Sequence, residues 1–229
     1  MADSENGDPQ VERDGFAWVP QAVSREECAS LLNALAPVVG AGRRGLLHQS
    51  CVSDLAHSDQ ILSLIRPYFA AEPFAVRAIY FDKSTESNWL VPWHQDLTIA
   101  VDQRKDVPGF GPWSEKGWIL HVQPPVEILQ RMLTVRLHLD AADETNGALR
   151  VIAGSHRQGR LSAAQISDFS QREPEVICVA EEGSALLMRP LLLHSSRRAV
   201  SPRHRRILHL EYAAFSLPGG LKWGECAGH

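Results

Sequence analysis

Trp89-Leu90-Val91-Pro92-Trp93-His94-Gln95-Asp96 decides how this chain is read, because it sets a histidine and an aspartate two positions apart in an extended stretch. In a β-strand, residues i and i+2 point to the same face. His94 and Asp96 therefore face one way and Gln95 the other. A third candidate ligand, His194, stands far downstream, just before a basic cluster. Two imidazoles and one carboxylate occupy one face of an ion and leave its other positions open. That suits a non-haem iron(II) ion, Fe(II), with a 2-oxo acid beside it. Zinc sites also use three protein ligands, so the donors alone do not name the metal. In a chain with 10 histidines an H-x-D triplet is weak evidence by itself, and the weight falls on what surrounds it.

The second half of the pattern lies around His194. It follows Leu191-Leu192-Leu193, a buried run ending in a polar step, and Ser196 shares its face two residues on. Arg205 opens Arg205-Arg206-Ile207-Leu208-His209-Leu210-Glu211-Tyr212, which alternates as a strand does. Leu208, Leu210 and Tyr212 form one face, and Arg205, Ile207 and His209 the other. An arginine on the inner face of a barrel needs a partner, since a lone buried charge is costly. The far carboxylate of a dicarboxylic 2-oxo acid fits its planar guanidinium, and the Ser196 hydroxyl can add a bond. Arg206 is a rival to Arg205, because a shift of one residue would bring it to that face instead. Arg197, Arg198 and Arg203 read as a solvated basic loop.

Composition bounds the class. The chain has 229 residues, 44% of them apolar, enough for one sizeable core. A net charge of −4 gives no overall support for nucleic acid as a partner. No apolar run approaches membrane-spanning length, and the acidic start, Met1 to Asp14, lacks the apolar segment of a secretory signal. The 4 cysteines show no metal-knuckle spacing and read as reduced thiols, so a cytoplasmic protein is expected. Oligomeric state is left open.

Read in order, residues 1–12 are expected to be a disordered tail and 13–229 a single domain. Ser24 and Glu27 form a capping box ahead of a helix that ends before Pro37, followed by a basic glycine-rich loop from Gly40 to Gly45. A second helix is expected from Asp59 to Ala70. From Phe74 the pattern turns to strands: Ala75–Asp82, with Arg77, Ile79 and Phe81 on one face; Trp118–Val122; and Leu133–Leu139, with Thr134, Arg136 and His138 on one face. Further strands are expected at 147–153, 176–179, 184–188, 191–194 and 205–212. Asp102 to Lys116 reads as irregular, and about 102–126 as a lid-like insertion. Helices followed by many short strands suggest a mainly β sandwich or barrel with flanking helices.

With these residues in hand, the chain resembles the phytanoyl-CoA dioxygenase family of Fe(II)- and 2-oxoglutarate-dependent oxygenases. The resemblance runs from about Val11 to Tyr212. It is carried by Trp93-His94-Gln95-Asp96, by Asn146-Gly147-Ala148-Leu149 through Gly154-Ser155-His156, and by His194, Ser196 and Arg205. It implies a double-stranded β-helix, the jelly-roll or cupin-like barrel. It implies that His94, Asp96 and His194 hold iron, that Arg205 pairs with the 5-carboxylate of 2-oxoglutarate with Ser196 beside it, and that Ile79 and Arg136 line the cosubstrate pocket. Arg136 departs from the aromatic that can occupy its place. The implied reaction consumes 2-oxoglutarate and molecular oxygen (O2), releases succinate and carbon dioxide, and oxidises a small molecule. Halogenating relatives lack the carboxylate ligand, so Asp96 points to hydroxylation or another oxidation.

Arg77, Lys83, Asn88, Trp113, Trp118 and His138 are the candidates for touching substrate, as polar or aromatic groups near the expected pocket mouth. Two other classes stay open: a cupin-like metal enzyme that does not use 2-oxoglutarate, and a catalytically silent binding protein of the same fold.

Overall fold

Alternation along three long strands builds the inside and the outside of this molecule. In a computed structural model of the chain, residues 9–35, 42–201 and 203–225 are described. They run α1 (Pro9–Asp14), β1 (Phe16–Val19), α2 (Arg25–Leu35), β2 (Arg43–Arg44), α3 (Ser50–Ala56), α4 (Asp59–Ile65), β3 (Phe74–Lys83), β4 (Val91–His94) and β5 (Ile99–Val101). There follow β6 (Trp113–Lys116), β7 (Ile119–Val122), α5 (Val126–Gln130), β8 (Leu133–His138), β9 (Leu149–Val151), α6 (Ala163–Arg172), β10 (Val176–Cys178), β11 (Ala185–Met188), β12 (His194–Ser196) and β13 (Arg205–Ala213).

A six-stranded sheet, in the order β1-β11-β8-β13-β3-β2, faces a four-stranded sheet, β10-β9-β12-β4. All the pairings are antiparallel. This is the double-stranded β-helix that the family resemblance implied, and it agrees with the sandwich or barrel read from the strand pattern. The outer face of the larger sheet is apolar: Leu133, Val135 and Leu137 of β8 join Leu208, Leu210 and Tyr212 of β13. Against them pack Cys28, Leu31 and Leu35 of α2, Val52 and Leu55 of α3, and Ile61, Leu62 and Ile65 of α4. Each such fully buried side chain contributes roughly 1.5–3 kcal/mol. The Tyr212 hydroxyl donates to the Ala56 carbonyl at 3.0 Å, which satisfies this buried polar atom.

The inner face is polar. The register sets Arg205 opposite Lys83, Ile207 opposite Phe81, His209 opposite Ile79, and Glu211 opposite Arg77. On its other side β13 sets His209 opposite Arg136 and Ile207 opposite His138. A buried row of charges in a strand interior is not what a stability core requires.

Several expectations are corrected. Pro9–Asp14 is helical with Val11 buried, so the expected disordered tail does not reach Glu12; residues 1–8 lie outside the described residues. The same holds for the end of the first helix at Pro37 and for the loop at Gly40 and Ala41. The capping box is present, with Ser24 N–H donating to Glu27 Oε2 at 2.7 Å and Glu27 N–H to Ser24 Oγ at 3.1 Å. The short α3 and α5 were not anticipated; each buries only two or three side chains and depends on its neighbours. Between Asp102 and Lys116 the chain is not wholly irregular: Trp113–Lys116 is a strand in a separate three-stranded sheet, β5-β7-β6. Strand β12 begins at His194 rather than Leu191. Among the described residues no helix is long and apolar enough to cross a membrane.

Candidate metal centre and its cavity

Antiparallel pairing of β12 with β4 sets His194 directly opposite His94, which is how two distant histidines meet. Their rings lie 4.1 Å apart, centroid to centroid. Asp96 follows the end of β4, where its backbone N–H donates to Pro190 O at 2.9 Å. Its carboxylate comes within 3.6 Å of His194 Nε2. Ligand atoms of His94, Asp96 and His194 all fall within 4.8 Å of one another.

Each imidazole is oriented by the backbone. A carbonyl oxygen can only accept, so the nitrogen facing it carries the proton. His94 Nδ1 donates to Pro92 O at 2.9 Å and His194 Nδ1 to Leu192 O at 2.8 Å. Both Nε2 atoms are left with free lone pairs, the form a metal binds. Burial, then the neighbouring His94, push His194 down to about 4 and keep it neutral. Burial disfavours a charged Asp96, but the combined pull of His194, His209, His94 and Arg77 outweighs it and holds the carboxyl below its usual range. Two imidazoles presenting Nε2 and an ionised carboxylate make a donor set that fits a divalent ion. Gln95 faces away, as its position in the strand requires. Its amide donates to Gly159 O at 2.8 Å and Leu191 O at 2.7 Å and accepts from Leu161 N–H at 2.9 Å. These bonds clamp the turn that carries Asp96.

A cavity of about 360 Å³ opens beside the triad. Ile79, Arg136, Ser196 and Arg205 line it, the four residues expected around a cosubstrate, and so does Arg77. Arg205 is 3% exposed, yet its Nε and Nη1 have no hydrogen-bond partner, nor has the Nε of buried Arg136. Burial and then Arg136 weaken the hold of Arg205 on its proton, as expected for a cation without a counter-ion. Ser196 Oγ accepts from Lys83 Nζ at 3.1 Å, which leaves its own proton to donate. Two buried guanidiniums and a free hydroxyl proton fit a carboxylate. Arg206 is on the outer side, where Nε and Nη2 donate to Asp140 at 2.7 Å each.

Four of the candidates for substrate contact lie elsewhere, and Lys83 sits behind the wall. Asn88 is a structural clamp, donating to Ala199 O at 2.9 Å and accepting from Ala199 N–H at 2.7 Å. Trp113 packs into the cluster of Val122 and Trp223, under Arg104. Trp118 is 95% exposed at the tip of the β6–β7 hairpin. His138 is fully buried against Trp18, and burial, Arg136 and Arg205 push it down to about 3. Lys83 does not line the cavity, and it supports Ser196 from the side. The cavity also takes Arg44, Trp89, Lys116, His209 and Glu211. Continuing the alternation Arg205, Ile207, His209 reaches Glu211; nothing local signals Arg44 or Lys116.

The model of the phytanoyl-CoA dioxygenase family matches residues 11–207. The chain belongs to that family. As a phytanoyl-CoA dioxygenase family member it is an Fe(II)- and 2-oxoglutarate-dependent oxygenase. Among solved structures it is similar to AviO1 from Streptomyces viridochromogenes Tue57, at 20% identity and TM-score 0.64 over 92% of this chain and 93% of that one. It is similar to EctD from S. alaskensis, solved with 2-oxoglutarate and 5-hydroxyectoine, at 21% identity and TM-score 0.66 over 90% and 74% of the chains. It is also similar to SnoN, a non-heme alpha ketoglutarate dependent epimerase from nogalamycin biosynthesis, at 16% identity and TM-score 0.68 over 91% and 79%. At these identities the likeness establishes the fold. No curated protein sequence matches. Membership of the family therefore rests on its own model.

Proposed function

We propose that this family member hydroxylates a small molecule, with His94, Asp96 and His194 holding the ferrous ion and Arg205, assisted by Ser196 and Arg136, binding the far carboxylate of 2-oxoglutarate. The observation that carries the reading is the pair of buried, unpartnered guanidiniums beside a cluster of three ligating side chains. Bound there, iron with 2-oxoglutarate and O2 supplies the oxidising power that this class couples to release of succinate and carbon dioxide.

The protein's share is orientation and exclusion. Carbonyls of Pro92 and Leu192 keep the proton on each Nδ1, so both imidazoles present Nε2. The Gln95 clamp fixes where the carboxylate of Asp96 points. Lys83 fixes the Ser196 hydroxyl from behind, which directs its proton toward the cavity. Phe81 and Ile79 wall the cosubstrate end with apolar surface and strengthen each charged contact there. Hydroxylation rather than halogenation is supported by the Asp96 carboxylate, which takes the position a halide would need. A cytoplasmic location is supported by Cys28, Cys51 and Cys178, all free thiols.

The test is anaerobic titration of iron(II)-loaded protein with 2-oxoglutarate, followed by succinate release in air with a panel of small molecules. A visible charge-transfer band should grow to one equivalent, and Arg205→Ala should need far more 2-oxoglutarate. Wild-type protein that takes up iron but shows no band would refute the assignment. Substrate-coupled succinate without a hydroxylated product would refute hydroxylation alone.

A further inference from the structure

The cavity carries more positive charge than its metal and cosubstrate explain. Arg44, Arg77, Lys116, Arg136 and Arg205 line it, against the carboxylates of Asp96 and Glu211. Ferrous iron adds two positive charges and 2-oxoglutarate two negative ones, so the excess is unchanged when both are bound. Arg77, Arg136 and Arg205 are buried and Arg44 is half-buried, and unmatched cations in such a site are costly; Lys116 is exposed and reaches the cavity from its rim.

The excess is concentrated at one end. Arg205 stands opposite Lys83, at the far end of β3, whereas Arg77 lies six positions away on the same inner face. At about 3.3 Å per residue that is roughly 20 Å, well beyond the span of one 2-oxoglutarate. Arg44 stands opposite Ile79 across β2 and β3, two positions from Arg77 and four from Lys83, so it lies nearer the Arg77 end. Lys116 arrives from the β6–β7 hairpin.

Thr98, two residues beyond Asp96, joins this group. Its carbonyl accepts from Arg77 Nη1 at 3.3 Å and its Oγ1 from Lys116 Nζ at 3.5 Å. Glu211 neutralises Arg77, at 3.1 Å. Among the described residues neither Arg44 nor Lys116 forms an ion pair, and the Nε atoms of Arg44 and Arg77 are buried without partners. Burial and then Arg77 weaken the proton affinity of both Arg44 and Lys116; the carboxylate of buried Glu225, which accepts from Ala78 N–H, offsets this at Arg44, as Asp96 and Glu211 do at Lys116.

The geometry points to an anionic substrate: a small molecule whose carboxylate or phosphate is held by Arg44 and Lys116 beside Thr98, while its carbon body lies toward His94, Asp96 and His194. Trp89 and Leu97, also on the cavity wall, offer apolar surface to that body. The inference rests on the metal and cosubstrate site proposed above and names the chemistry of the third ligand.

The experiment is isothermal titration calorimetry on the full chain loaded with nickel(II) and saturated with 2-oxoglutarate. The 2-oxoglutarate isotherm on the same sample reports separately on the cosubstrate site. The probes are short carboxylic acids, simple phosphate monoesters, and the matching amides and alcohols. We expect the anions to bind about tenfold or more tightly than their neutral counterparts, and added salt to narrow the gap. A preference for phosphate or for carboxylate then identifies the group. Arg44→Met and Lys116→Met should each lower anion affinity about tenfold. The 2-oxoglutarate isotherm should stay within about twofold of wild type, because Arg205 lies at the other end. Lys116 is on an exposed hairpin, so its variant should fold even if that of Arg44 does not. Neutral probes binding as well as anions, no anion binding while 2-oxoglutarate binds normally, or wild-type anion affinity in Lys116→Met would each overturn the inference.

Discussion

Lys83 and Arg205 stand directly opposite one another on the inner face of β3 and β13, two buried cations side by side with no carboxylate between them. Lys83 is 1% exposed and donates to Ser196 Oγ at 3.1 Å and Arg197 O at 2.8 Å. Such a pair is stable only if one member gives up its charge or an anion joins them.

Without that anion, burial and then Arg205 and Arg136 push the Lys83 ammonium down from 10.5 to about 7. Between those values the unfolded chain binds more protons than the folded one, so stability rises with pH across this window. Below about 7 the charged Lys83 is a standing cost. We expect the Tm of wild type, relative to Lys83→Met, to climb as pH is raised through and above 7 in the absence of 2-oxoglutarate. With 2-oxoglutarate bound, the ammonium should regain its proton. Calorimetry at about pH 8 in buffers of different ionisation enthalpy should therefore show proton uptake that Lys83→Met abolishes. Uptake equal in both proteins would mean that Lys83 does not sense the cosubstrate.

Arg205→Ala removes the buried guanidinium proposed to pair with the far carboxylate of 2-oxoglutarate. Losing one side of a buried ion pair costs roughly 3–5 kcal/mol, so Kd for 2-oxoglutarate should rise about a hundredfold or more. Arg206→Ala should leave that Kd within about twofold and instead lower stability by roughly 1 kcal/mol, since its bidentate pair with Asp140 is half-buried on the outer side. Equal effects of the two variants on binding would reverse the facing of this strand.

Gln95→Leu is expected to impair the metal site without touching a ligand. It leaves Gly159 O, Leu191 O and Leu161 N–H without their side-chain partner. That should destabilise by roughly 2–4 kcal/mol and weaken iron(II) affinity about tenfold. Gln95→Glu, which keeps the acceptor but loses the donor, should fall between. Metal affinity unchanged in the leucine variant would show that the clamp does not position Asp96.

Asn88→Ala should lower Tm, by about 1–3 kcal/mol of stability, because both of its bonds to Ala199 are lost, while the KM for substrate stays unchanged. Trp118→Ala should change neither stability nor KM beyond about 0.5 kcal/mol, as expected for an exposed hairpin tip. A raised KM in the tryptophan variant would put the indole of Trp118, and not only Lys116 on the same hairpin, in contact with substrate.

Local chemistry made a large part of this protein legible. Side chains alternate across any strand, so β3, β8 and β13 declared their polar and apolar faces before any fold was known; parity set Arg205 and Arg206 on opposite faces, and the structure decided which of them faces inward. The same parity put His94 and Asp96 on one face, and the Ser24–Glu27 capping box needs only four consecutive residues. The resemblance to the family followed from the motifs those positions hold.

Relations between elements were decided by the tertiary structure. His194 meets His94 because β12 pairs with β4 in one particular register, and pairing register is a property of two strands, not of either sequence. Arg44 and Lys116 reach the cavity from an edge strand and a hairpin whose directions no local pattern encodes. Trp113 and Trp118 resembled pocket aromatics, yet one is drawn into a neighbouring apolar cluster and the other is left in solvent. Asn88 resembled a binding group and became a clamp once Ala199 was folded against it. Periodicity assigns a side chain to a face; only the packing of whole elements determines what that face will meet.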